Sequence, residues 1–140
     1  MLSIQTLIES RVSTNKFHTN RPVSSSQINE LVRSATLAPS AYNFQNRKFI
    51  AVISPAAKEK LKAAPYGQQK VMDAAVTFIV CGTLNAHQHL RGNFRPSLDQ
   101  GILSRAVIDT WVGMAKDSHE GNAQLLRDEA FRYVPPHCRQ

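Results

Sequence analysis

Apolar residues recur at spacings of three and four in several stretches of this chain and form unbroken runs in two others. Ile4, Leu7 and Ile8 predict a short amphipathic helix over residues 2–10. Arg11 to Phe17 reads as a polar turn with Phe17 as its one apolar anchor, and residues 18–21 as extended or irregular chain closed by Pro22. Ser24 with Gln27 matches a capping box. Ile28, Leu31, Val32 and Ala35 then line one face of a helix that Pro39 stops, because a proline disfavours helix at the residue before it. Lys-Phe-Ile-Ala-Val-Ile over 48–53 predicts a buried strand. Ser54 followed by Pro55 signals a helix over 55–64, with Lys58, Lys60 and Lys62 on its wet side. Pro65-Tyr66-Gly67 breaks it, and one more helical turn follows over 68–72.

The second apolar run, Ala75 to Gly82, predicts a central strand covered on both faces. A helical connection between the strands favours a sheet flanked by helices over a simple hairpin. Residues 83–97 read as a polar loop. Within it His87 and His89 lack any neighbouring carboxylate or cysteine that could complete a metal site, so both are expected to be solvated. A long helix is expected over 98–116, with Ile102, Leu103, Ala106, Val107 and Met114 facing the core and Trp111 at an interface or core edge. After Gly121-Asn122 a last helix begins at Ala123, with Leu125, Leu126 and Ala130 apolar. Paired prolines in Tyr133 to Gln140 prevent its continuation.

Composition narrows the function classes. A chain of 140 residues is expected to form one domain with a single modest core. The formal net charge of +7 would suit a polyanion partner. The cations are spread along the chain, however, with no basic run and no zinc-ligand spacing, so nucleic acid is not the expected partner and a small anion such as a nucleotide phosphate serves as well. No stretch reaches the roughly 18 apolar residues of a membrane span. The N-terminus shows no basic region followed by an apolar run, so the expected compartment is the cytoplasm. Cys81 is expected to be a buried, inert thiol, and a disulfide to Cys138 is not expected.

The stretch Ala38-Pro39-Ser40-Ala41-Tyr42-Asn43-Phe44-Gln45, with the strand behind it, holds polar groups still at the edge of a core. Together with Arg11-Val12-Ser13-Thr14-Asn15-Lys16-Phe17 and the block Tyr66 to Ala75, it resembles the nitroreductase family of flavoproteins. Asp109 to Ala115 and Arg127 to Ala130 resemble a bacterial subgroup of that family. The resemblance implies an α+β fold, a central sheet flanked by helices, incomplete at the C-terminus. It covers a partial family domain over residues 1–132, followed by a non-matching tail over 133–140, as in a truncated or frame-shifted member.

The resemblance also implies an FMN-dependent oxidoreductase that passes hydride from NAD(P)H to a nitroaromatic, quinone or similar small-molecule acceptor. No catalytic triad is then expected, because the flavin carries the chemistry. Arg11 and Ser13 match the phosphate and ribityl side of the family site, Asn15 stands where some relatives have a basic residue, and Lys70 with Gln68 matches the donors at the ring's polar edge. Pro39, Ser40 and Asn43 match the turn that reaches the flavin of a partner subunit, which implies a homodimer. Each match has a plainer alternative. Arg11 and Ser13 could be a helix-end arginine with a capping serine, Lys70 a surface lysine, and Ser40 and Asn43 local caps of a helix stop. An inactive fragment with little or no flavin binding is the alternative to the enzyme.

Overall fold

Ser54 and Pro55 show how directly local sequence sets an element here. The computed structural model describes residues 3–64 and 66–132, and in it Ser54 is an extended N-cap whose hydroxyl accepts the Ala57 N–H at 3.3 Å, with Pro55 opening the helix. A proline at that position forfeits no intrahelical hydrogen bond and its fixed φ suits the first turn. The expectations for Leu2, Pro65, Cys138 and the tail 133–140 lie outside the described residues.

In chain order the elements are α1 (Ile4–Glu9), α2 (Ser25–Thr36), a 3-10 turn (Ala41–Asn43), β1 (Arg47–Val52), α3 (Pro55–Lys62) and α4 (Lys70–Asp73). They continue with β2 (Thr77–Gly82), α5 (Ala86–Asn93), α6 (Arg95–Asp99), α7 (Arg105–His119) and α8 (Ala123–Arg132). β1 and β2 pair as a two-stranded sheet. Thr83, just past β2, donates its N–H to the carbonyl of Asn46, just before β1, at 2.9 Å, which sets the pair antiparallel. The fold is therefore α+β, as expected, with a small antiparallel sheet. Among the described residues no helix is long and apolar enough to cross a membrane.

The described chain divides into two compact units. The smaller comprises the chain up to Ser24 together with Ala51–Thr77. There Val52, Val71 and Ala74 are buried and α3 packs on α4. Ile4, Leu7 and Ile8 of α1 lie on the expected stripe but are exposed, and Phe17 is exposed where an anchor was expected. Lys58, expected on the wet side of α3, is only 8 % exposed, and its ammonium donates to the Ala74 carbonyl. Its apolar stem lies along buried surface while its head satisfies a carbonyl that the end of α4 leaves without a helical partner.

The larger unit comprises Ser25–Ile50 together with the chain from Phe78 onward. Its core joins Phe44, Ala86, Leu90, Phe94, Ile108 and Ala115, with Leu98, Leu103 and Val112 packed against them. The end of β2 presses against α8 so closely that a Cβ on Gly82 would lie 2.4 Å from the Ala130 carbonyl oxygen. In α2 only Ile28 is fully buried, and Leu31 and Ala35 are exposed.

Several expectations are corrected. The loop expected over 83–97 is mostly helix, formed by α5 and the start of α6. Ala86, Leu90 and Phe94, four residues apart, bury one stripe between polar neighbours that mask it. His87 is buried, not solvated, and stacks on His119 with ring centroids 6.3 Å apart. Among the described residues no group of three or more ligand-type side chains could hold a metal. The single helix expected over 98–116 is broken at Gly101, whose φ of +70° suits a glycine, and Ser104 caps a fresh start by accepting the Val107 N–H at 3.3 Å. Its buried stripe is Ile108, Ala115 and His119, while Ile102, Ala106, Val107 and Met114 are exposed. β1 alternates between exposed and covered positions, and β2 has one partner strand among the described residues with all six of its residues half-buried, so neither has the fully covered character expected. Cys81 is likewise half-buried.

Candidate functional site

The stretch that carries the strongest sequence signal forms a tight turn in the larger unit. Arg47 draws the end of α2 towards β1, its guanidinium donating to the carbonyls of Ala38 at 2.6 Å and Ala35 at 3.4 Å. Pro39 follows, and Ser40 is extended. Tyr42, Asn43 and Gln45 then take φ values of +50°, +57° and +50°. A left-handed conformation costs a residue with a Cβ about 1–2 kcal/mol, so three within four positions need support from outside the backbone.

That support is visible. The Ser40 hydroxyl accepts the Gln45 N–H at 3.0 Å, and the Gln45 amide donates to Asn43 Oδ1 at 3.2 Å. From α5 the Asn93 amide donates to the carbonyls of Asn43 at 3.3 Å and Phe44 at 2.9 Å. Phe44 is driven into the core, edge-on to His119 with centroids 5.0 Å apart. The oxygens of Ser40 and Asn43 thus serve the turn itself, which is the local-capping alternative. Strained backbone held this firmly occurs where a surface must keep one shape.

Beside the turn lies an open apolar recess of about 360 Å³ lined by Tyr42, Asn43, Phe94, Trp111 and Met114. Trp111 and Met114 stand three apart on α7 and so share a face. Phe94, at the junction of α5 and α6, meets Trp111 with centroids 5.5 Å apart and planes inclined at 57°. The sequence reading missed this recess. The Trp111–Met114 spacing was a usable signal, but Phe94 was hidden in the supposed loop.

The other candidates lie in the smaller unit. Arg11 follows the C-cap of α1 and bonds back to the Ile8 carbonyl through its N–H at 3.3 Å. Arg11, Ser13 and Asn15 are all exposed on a segment without regular structure. Gln68 and Lys70 are exposed at the start of α4, after Tyr66 and Gly67 at φ values of +54° and +70°. The candidates therefore fall into three local groups: an open segment near α1, the entrance of α4, and the strained turn of the larger unit.

A family model described as the nitroreductase family matches residues 8–133. This chain belongs to the nitroreductase family. All the sequence blocks that carried the resemblance fall within the matched residues. MhqN of Bacillus subtilis, provisionally named an NAD(P)H nitroreductase, is 33% identical over 127 residues, covering 90% of this chain and 62% of that protein. The crystal structure of a provisionally assigned nitroreductase, YdfN, from Bacillus subtilis has a TM-score of 0.83 at 32% identity, covering 92% of this chain and 63% of that one. A nitroreductase structure in complex with FMN from Exiguobacterium sibiricum shares the fold, with a TM-score of 0.85 at 24% identity, covering 94% of this chain and 64% of that one. The nitroreductase chain described here spans about three fifths of the length of its curated relatives MhqN and YodC.

Proposed function

We propose that this chain serves an FMN-dependent oxidoreductase that passes hydride from NAD(P)H to a flat acceptor such as a nitroaromatic or a quinone. The observation that carries this reading is the aromatic-walled recess formed against the strained polar turn. Tyr42, Phe94 and Trp111 offer π-faces and edges to a planar ring, Met114 adds a polarizable thioether, and Asn43 adds one polar group at the margin. The FMN bound to the Exiguobacterium neighbour supports the cofactor, and the name of MhqN supports the nicotinamide donor.

The donor set suits FMN. The Arg11 guanidinium, Ser13 hydroxyl and Asn15 amide are exposed on one open segment and offer what a phosphate and a ribityl chain accept. Gln68 and Lys70, exposed at the entrance of α4, would hold the ring's polar edge, where the Lys70 charge favours added electron density. When bound, the flavin supplies the hydride-transfer chemistry, and the protein binds and orients it. Pro39, Ser40 and Asn43 would meet the flavin of a second copy, so the working unit is a homodimer.

The test is a visible absorption spectrum after FMN is added and the excess removed by gel filtration. A flavin band eluting with dimeric protein, and NAD(P)H oxidation driven by nitro or quinone acceptors, is the expected result. Colourless protein would overturn it. A second reading, a chain that retains little or no flavin, is favoured by one observation: Ile4, Leu7 and Ile8 leave the apolar face of α1 uncovered in the described residues.

A further inference from the structure

α3 holds the segment leading into and through α4 at three points, all within the smaller unit. The Gly67 N–H donates to the Lys62 carbonyl at 3.0 Å. The Lys62 ammonium donates to Gln69 Oε1 at 3.0 Å, and Gln69 in turn donates to Asp73 Oδ1 at 3.1 Å. Lys58, one helical turn before Lys62 on the same face, is buried and donates to the carbonyl of Ala74, the C-cap of α4. Gln68 and Lys70 lie between these fixed points, exposed and otherwise on a single short turn of helix.

A four-residue helix has little stability of its own, since nucleation costs several fixed dihedrals for few hydrogen bonds. Its placement must come from tertiary anchors. A buried lysine is a costly anchor unless its charge is well satisfied, and any apolar residue could have filled the same volume. What the ammonium provides beyond volume is a directional hold on the last carbonyl of the segment.

We infer that Lys58 is a positioning residue for Gln68 and Lys70, acting with Lys62 to fix the segment that carries them. The inference rests on the flavin reading above for its consequence, but not for the hold itself. Lys58 touches neither acceptor nor cofactor in this scheme. It fixes where the Lys70 charge stands, and with a flavin bound at that edge the charge would shift the flavin's potential.

The experiment compares the wild-type chain with Lys58→Met, Lys58→Arg, Lys62→Met and the surface control Lys60→Met. Amide hydrogen exchange over residues 69–74 is measured without flavin, and FMN affinity and midpoint potential are measured with it. Lys58→Met is expected to raise exchange over 69–74 at least tenfold, to weaken FMN binding at least tenfold and to make the potential more negative. Lys58→Arg should restore most of each. Lys62→Met, which removes a more accessible contact and leaves the core intact, should produce a two- to fivefold change in exchange should Lys58→Met fail to fold. Wild-type exchange in both Lys58→Met and Lys62→Met would overturn the hold. Raised exchange with unchanged affinity and potential would overturn the positioning role. A wild-type chain that binds no FMN would overturn the flavin reading and with it that role, while the exchange comparison would still decide the hold.

Discussion

Asn93 donates from its side-chain amide to the backbone carbonyl of Phe44 at 2.9 Å, tying α5 to the end of the strained turn. The same amide reaches the Asn43 carbonyl at 3.3 Å. Tyr42, Asn43 and Gln45 all have positive φ in this turn, so one side chain from a neighbouring helix stabilises a conformation the local backbone disfavours.

Asn93→Ala is expected to lower stability by ~1–3 kcal/mol, the cost of leaving the partly buried Phe44 carbonyl without its donor. Asn93→Asp should be no better, since a carboxylate cannot donate to either carbonyl. Chemical denaturation midpoints at unchanged slope check both, and a wild-type midpoint for either would show that the turn holds itself.

Glycine substitutions separate three physical effects. Gly82→Ala would bring a Cβ within 2.4 Å of the Ala130 carbonyl oxygen and should cost ~1–3 kcal/mol through overpacking. Gly121→Ala meets open space, but its φ is +75°, so ~1–2 kcal/mol of conformational cost is expected. Gly113→Ala meets open space inside α7 with no φ penalty and should stabilise by ~0.5–1 kcal/mol. Thermal unfolding of the three variants side by side should give that order.

The elements set by nearest neighbours were legible in the sequence. Ser54-Pro55 opens α3, Pro39 follows the end of α2, and the Ala123 helix begins where it should, because a cap or a proline acts through its own backbone. What could not be read depended on partners far along the chain. Ala115 and His119 are buried in α7, while the more hydrophobic Val107 and Met114 are not, since the choice of face is made by α5 and the Phe44 ring. Lys58 is buried because Ala74 needs a donor, which no local pattern reveals. In the candidate site the turn Pro39–Gln45 was recognisable, but its three left-handed residues carry no glycine to announce them.

Trp111 is the one tryptophan of the sequence and lines the recess, so its fluorescence reports the site directly. A nitroaromatic or quinone should quench it with saturation, and Met114→Lys, which introduces a charged head into the apolar lining, should weaken that binding about tenfold or more, in keeping with the cost of displacing apolar contact by a hydrated ammonium. Linear quenching without saturation, equal in wild type and variant, would mean only collisional encounter and would remove the recess as an acceptor site.

Glu129 offers a sharper electrostatic test. It is buried on α8, where Oε1 accepts from Arg132 at 2.7 Å, while Oε2 has no hydrogen-bond partner among the described residues. Arg132 itself is well exposed, with 61% of its side-chain surface accessible, so the ion pair is only half shielded from water. The attraction is therefore modest, and the desolvation of the carboxylate is not fully offset. Glu129→Gln keeps an acceptor for Arg132, removes the buried charge and places an amide in the same volume. It is expected to leave stability within ~1 kcal/mol of wild type or to raise it. Asn46→Ala offers the contrast: its buried amide donates to the Glu129 carbonyl at 3.4 Å, so truncation strips a donor and opens a small void, at a cost of ~1–3 kcal/mol. If Glu129→Gln proved the more damaging of the two in denaturant titration, the carboxylate charge would be holding α8 in place, and the partial exposure of Arg132 would not weaken the pair as argued.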